Sequence, residues 1–140
     1  MKPISHLLLT VILGLTVLLS PAMAADASGS LLINVTSSNV HKANMAISFS
    51  VAQLQQGQPL IILLNKQGVL LGSKANAAKF PGVQKTLLNL IDKGVPVMMS
   101  PQGMLQYGMT RDDVLPGILV GAAEANKAAP LPHIKQMLTW

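Results

Sequence analysis

Apolar and polar residues change period along this chain, and the changes mark out its elements. Leu31-Leu32-Ile33-Asn34-Val35-Thr36 is a short, mostly apolar run of strand length. Ser37-Ser38-Asn39 follows, rich in side chains that cap helices. From Val40 to Gln56 the apolar positions Val40, Ala43, Ile47, Val51 and Leu54 recur at helical spacing, and Gly57 is a natural stop. Leu60-Ile61-Ile62-Leu63-Leu64 is continuously apolar, as expected of a strand buried on both faces in a parallel sheet. Gly68 and Gly72 bracket a short turn-flanked segment, and Ser73 to Phe80 reads as a mobile polar loop.

A second helix is predicted from Pro81, with Val83, Leu87, Leu90 and Ile91 on one face and Gly94 as its stop. Val95 to Met99 reads as a third strand, with Pro96 tolerable near its start. Gln102 to Tyr107 has room for one or two helical turns before Gly108. Thr110-Arg111-Asp112-Asp113 fits a capping box closed by Pro116-Gly117. Ile118 to Val120 makes a fourth strand, Ala122 to Ala129 a helical or loose segment, and Met137 to Thr139 a short last strand. Strands alternating with helices predict a three-layer α/β/α domain around a mostly parallel sheet of about five strands.

Composition supports one compact domain. The chain has 140 residues, half of them apolar and 11% charged, which excludes a disordered protein and leaves room for a single core. Aromatics are limited to Phe49, Phe80, Tyr107 and Trp140, so aliphatic residues and Met must fill the interior.

The first 24 residues stand apart. Lys2 is followed by an apolar run from Leu7 to Leu19, then Ser20-Pro21, then Ala22-Met23-Ala24. That is the three-part layout of a secretory signal peptide cleaved after Ala24. An uncleaved anchor would need about 20 apolar residues, more than this run supplies. The expectation is therefore a signal peptide at 1–24 and one domain at 25–140, placed in the periplasm and free of the membrane after cleavage.

Charge and cysteine content narrow the chemistry. Removal of Lys2 leaves nine basic against five acidic residues, a formal +4. The basic residues are dispersed and not interleaved with aromatics, so a nucleic-acid footprint is not indicated. There is no Cys, which excludes thiol nucleophiles, persulfide carriage and Cys-based metal sites on this chain. No dinucleotide fingerprint, phosphate loop or nucleophile elbow is present, and no cofactor is expected.

Several segments together resemble the DsrE/DsrF-like family. They are Leu31 to Ser37 with Val40 to Ala46, Leu63-Leu64-Asn65-Lys66-Gln67-Gly68-Val69, and Val97-Met98-Met99-Ser100-Pro101-Gln102-Gly103-Met104. The most specific is Gly108-Met109-Thr110-Arg111-Asp112-Asp113-Val114-Leu115-Pro116-Gly117. The resemblance implies a five-stranded parallel sheet between helices and assembly into dimers, trimers or hexamers. Some members relay sulfane sulfur on a Cys after the third strand, often in a C-P-x-C pattern. Ser100 and Gly103 occupy those positions here and cannot carry a persulfide, so the fold carries over and the thiol chemistry does not.

Candidate ligand-binding residues gather where α/β sheets place ligands, at the carboxyl ends of the strands. Ser100 follows the third strand, and Gln102, Gly103 and Met104 open the next helical turn. Their N–H groups lack intrahelical partners and could face an anion, with Gly103 allowing close approach. Asn65 and Lys66 follow the second strand and offer an anion site, or act as ordinary turn residues. His41 begins the first helix, and the carboxyl edge of the first strand could bring it near Ser100 as a base, although a Ser-His pair without an orienting group is weak chemistry. The plainer reading of Ser100 is a helix cap.

Met98, Met99, Met104 and Met109 surround the same loop; thioethers favour Cu(I), and Met also simply packs cores. Asp112 and Asp113 are explained by capping and the helix dipole. The sequence thus points first to a non-thiol binding or assembly protein linked to sulfur metabolism and leaves an enzymatic role open. Its expected partners are its own copies, a sulfur-relay protein or a small anion. The alternatives are sulfur transfer through a partner's Cys and Met-based Cu(I) binding.

Overall fold

The computed structural model describes residues 29–140. The expected signal peptide and its cleavage site lie outside the described residues. Five strands form one parallel sheet: β1 (Ser30–Val35), β2 (Leu60–Leu64), β3 (Val97–Met99), β4 (Leu119–Val120) and β5 (Ile134–Thr139), in the spatial order β4-β3-β2-β1-β5. Four α-helices connect them: α1 (Val40–Gln55), α2 (Pro81–Asp92), α3 (Pro101–Gln106) and α4 (Gly121–Ala128).

Strand order fixes the layers. The steps from β1 through β4 all run the same way across the sheet, so right-handed crossovers put α1 and α2 on one face. The step from β4 to β5 runs back the other way, which puts α4 on the opposite face. The strands agree. Leu31, Ile33 and Val35 of β1, Leu60, Ile62 and Leu64 of β2, and Val97 and Met99 of β3 join one core with Ala43, Ala46 and Ile47 of α1 and Val83, Leu87 and Leu90 of α2. Of the other parity, Ile61 is buried, whereas Leu32, Leu63 and Met98 are only half-buried. Alpha-carbon register pairs Leu32 with Met137 on that second face, and Ala125 of α4 covers only the portion near Pro96 and Leu119.

Local signals explain the boundaries. Asn39 caps α1 by accepting the Lys42 N–H at 3.1 Å. Pro81 opens α2, where its missing N–H costs nothing. Gly57 and Gly94, just past the ends of α1 and α2, take positive φ values of 78° and 85°.

Two expectations need correction, and one open alternative is decided. Ser73 to Phe80 is not a loose loop. Residues 66–72 and 74–76 are wound into 3₁₀ turns, and Ser73 and Phe80 are buried. Gln84 of α2 is the reason: its buried Nε2 donates to the carbonyls of Leu71 at 3.0 Å and Ser73 at 2.8 Å, and Asn76 Nδ2 donates to Leu70 at 3.0 Å. The segment expected to be helical or loose is helix α4. The last strand starts at Ile134, three residues before Met137, because an edge strand lacks the apolar run that marks a buried one.

Candidate functional site

The carboxyl ends of β1, β2 and β3 share one rim of the sheet. At the switch point between β1 and β5, where the strand order reverses and α/β folds commonly seat ligands, the chain fills its own crevice. Thr36 donates its N–H at 2.8 Å and its hydroxyl at 2.7 Å to the Trp140 carbonyl, and the Trp140 ring lies 5.4 Å from that of Phe49. The open chemistry therefore lies further along the rim, beyond β2 and β3.

Beyond β2, Asn65 and Lys66 form a tight turn. The Asn65 N–H donates to Val35 at 2.9 Å, and its side-chain oxygen accepts the Lys66 N–H at 2.8 Å. Lys66 sits at φ 50°, the left-handed region, the sole non-glycine to do so among the described residues. Such a conformation costs about 1–2 kcal/mol, so the surrounding contacts must hold it. They are visible: Gly68 lies against the Val35 carbonyl, and Gly103 of α3 lies against the Lys66 backbone. The Lys66 side chain is exposed.

Beyond β3, Ser100 is tied at three atoms. Its N–H donates to Leu64 at 2.9 Å, its Oγ accepts the Gly103 N–H at 3.2 Å, and its carbonyl accepts the Met104 N–H at 3.0 Å. Ser100 is thus the N-cap of α3, the plainer of its two expected roles. This corrects the expected anion cradle, because the N–H groups of Gly103 and Met104 already have partners. Gly103 is buried, and the space beside it is filled: a Cβ there would meet Val69 Cγ1 at 2.8 Å and Lys66 N at 3.3 Å. The Met104 side chain is in the core at 5% exposure.

The rim therefore brings Ser100, Gly103, Asn65 and Lys66 together, with Gln102 exposed beside them. His41 is exposed on the first turn of α1, and no hydrogen bond joins it to Ser100. A Ser-His pair is not formed in this structure. Met99 and Met104 are core residues, Met98 faces the other side of the sheet, and Met109 packs against the core. Three of the four thus belong to or pack on the core, the packing role Met commonly serves. Among the described residues no group of three or more His, Cys, Asp or Glu is placed to hold a metal.

Two clefts lie away from the rim. One of about 350 Å³ runs between α1 and α2, lined in part by Asn44, Ser48, Asn89 and Lys93. The other, about 270 Å³, lies near the amino ends of β3 and β4 beside α4. The Ser100–Met104 loop lines neither.

Comparison with solved structures decides the fold. The chain is similar to the YchN protein of E. coli, at 17% identity and a TM-score of 0.62, over 80% of this chain and 99% of that one. It is also similar to MTH1491 of Methanobacterium thermoautotrophicum, described as a protein of unknown function, at 14% identity and a TM-score of 0.56, over 71% and 87% of the two chains. The chain has a DsrE/DsrF-like fold. No family model and no curated protein matches it.

Within that DsrE/DsrF-like frame, the position after β3 that resembles the family's Cys is a capping Ser. Sequence reasoning missed two devices that shape the rim. One is Gln84, a polar residue on the apolar face of α2, detectable as a break in that face. The other is Arg111, whose Nη1 donates to the Ile118 carbonyl at 3.2 Å while its Nη2 pairs with Glu124 at 2.6 Å. No local signal announces that pair, because its partners are 13 residues apart.

Proposed function

We propose that this protein is an exported, periplasmic DsrE/DsrF-like binding protein that serves sulfur metabolism by holding a small sulfur oxyanion or a sulfur-relay partner at the Asn65–Lys66 rim without carrying sulfur covalently. Export rests on the signal-peptide layout of residues 1–24. The observation that carries the binding role is the state of Ser100. Its hydroxyl is spent on capping α3, and no thiol exists in the chain to replace it. What remains on offer is the exposed Lys66 cation, presented on a left-handed backbone turn that Gly103 supports from behind. Lys and amide side chains at a strand's carboxyl end suit an anion by charge and by hydrogen bonding.

Thiosulfate is the probe that tests this. Calorimetric titration should show saturable binding that Lys66→Gln weakens about tenfold, the loss of about 1.4 kcal/mol. Ser100→Ala should leave that affinity unchanged while lowering stability by about 1 kcal/mol through the lost cap. Intact mass after incubation should show no added sulfur. A retained sulfur adduct, or thiosulfate affinity indifferent to Lys66, would overturn the reading.

A further inference from the structure

The two edges of the sheet are finished differently. The β4 edge is two residues long, and its main chain is already occupied: the Val120 N–H donates to Glu124 Oε2 at 2.6 Å, and the Ile118 carbonyl accepts from Arg111. Natural sheets blunt their edges in such ways because a bare edge is a template for another strand. The β5 edge has no comparable cover among the described residues. It runs six residues, Ile134–Thr139, every one of them exposed except Leu138, and Met137 is 58% exposed. Lys135, the one charge on the strand, is drawn inward, its Nζ donating to Gln58 Oε1 at 2.7 Å.

Backbone alternation says which groups of β5 are free. Trp140 turns both its N–H and its carbonyl toward β1, bonding Asn34 and Thr36. In a parallel pair alternate residues do this, so Leu138 also faces β1. Thr139 and Met137 then face outward with an open N–H and C=O each. Their side chains lie on the half-covered face of the sheet, in register with Asn34 and Leu32.

We infer that the β5 edge is a self-association surface, pairing antiparallel with β5 of a second copy about a two-fold axis centred on Met137, so that two five-stranded sheets join into one. The strand is self-complementary in that register. A two-fold normal to the sheet pairs residues of equal parity, and outward groups therefore meet outward groups. Met137 meets Met137 of the second copy and covers exposed apolar surface, while Lys135 meets Thr139 and not another Lys, avoiding the like-charge opposition that destabilises strand pairs. This surface is independent of the Lys66 rim, from which β1 separates it.

The absence of Cys makes the test direct, since a single introduced Cys reports only on itself. The wild-type protein should sediment as a dimer at micromolar concentration. Met137→Cys should then form an intermolecular disulfide under mild oxidation, because facing Cα atoms in a hydrogen-bonded antiparallel pair lie about 5.5 Å apart, within disulfide reach. Lys135→Cys should not, because its own copy would lie four residues away, about 13 Å. Met137→Lys, which puts two cations on the axis, should weaken the dimer at least about tenfold, while Leu105→Lys, at an exposed position outside β5, should not. A wild-type monomer, cross-linking at 135 as efficient as at 137, or a Met137→Lys dimer as tight as the wild type would each overturn the inference.

Discussion

The half of the sheet built from β2, β3 and β4 and the half built from β1 and β5 share one hydrogen-bonded frame but are finished to different standards. On the first half, α2 and the 66–77 segment cover one face, α4 reaches the other, and Arg111 with Glu124 closes the edge. On the second half, α1 covers one face, while the other is half-exposed and ends in an open strand. Both halves are parallel sheet, and parallel strands usually have both faces covered. The first, wrapped half comes nearer to that rule with its own residues, Ile61 being buried there although Leu63 and Met98 stay half-buried, and the open half keeps surface in reserve for contact. Core substitutions in the wrapped half should act on folding and substitutions at its Lys66 rim on anion binding, while those in the open half should act on association.

The sharpest way to break this contrast is at the seam between the halves. Gly68, in the wrapped 66–72 segment, sits so close to β1 that a Cβ would come within 1.9 Å of the Val35 carbonyl oxygen. That neighbour is backbone of a central strand and cannot step aside. Gly68→Ala should therefore cost at least about 3 kcal/mol, the upper range for overpacking, and the urea midpoint will show it. Replacing exposed Met137 by Ser, on the open half, should leave monomer stability within about 0.5 kcal/mol. Near-equal losses for the two variants would mean that the halves are not distinct.

A smaller effect is expected at Gln84. Its Nε2 is the donor for two carbonyls of the 66–77 segment, and the residue is buried. Gln84→Ala leaves the Leu71 and Ser73 carbonyls without that donor and should cost about 1–3 kcal/mol. Hydrogen exchange should then quicken in the 66–77 segment ahead of β5. Unchanged protection there would show that packing of Val69 and Leu71 holds the segment without help.

How much could be read from the residues alone follows the same division. The buried run Leu60–Leu64 was bounded correctly, and α1 and α2 came within a residue or two, because their signals are local: continuous apolarity, helical spacing, Asn39 and Pro81 as starts. The capping roles of Ser100 and of Thr110 with Asp113 were legible for the same reason. The 66–77 segment was not, because the side chain that anchors it, Gln84, comes from another element. Nor was β5, whose exposed edge carries no apolar run, or the strand order, which depends on contacts a hundred residues apart. At the rim, the sequence indicated Ser100 and Lys66 as neighbours across strand ends. It could not indicate that the N–H groups of Gly103 and Met104 were already spent, since that depends on where the Ser100 hydroxyl and carbonyl point.

The smallest expected effect concerns the turn that carries Arg111 toward the β4 edge. Asp113 closes it: the carboxylate accepts the Thr110 N–H at 2.7 Å and the Thr110 hydroxyl at 3.0 Å. The backbone N–H of Thr110, then its hydroxyl, and more weakly the Lys74 charge hold the Asp113 carboxyl below its ordinary value of 3.8. A lowered value in the folded protein means the charged carboxylate is the stabilising form. Its contribution is complete above the unfolded value and is lost as the pH falls through the lowered folded one. Asp113→Asn removes the charge at every pH and keeps an oxygen for the turn. The gap in urea midpoint between wild type and variant should therefore be constant between about pH 7 and 5 and should shrink by about pH 3, as the wild-type carboxylate takes up its proton. The same pair should differ in exchange at Val120, because the turn positions Arg111 and, through it, Glu124, which caps that N–H. A gap that holds constant down to about pH 3 would show that the Asp113 charge contributes nothing, and that hydrogen bonding alone keeps the β4 edge closed.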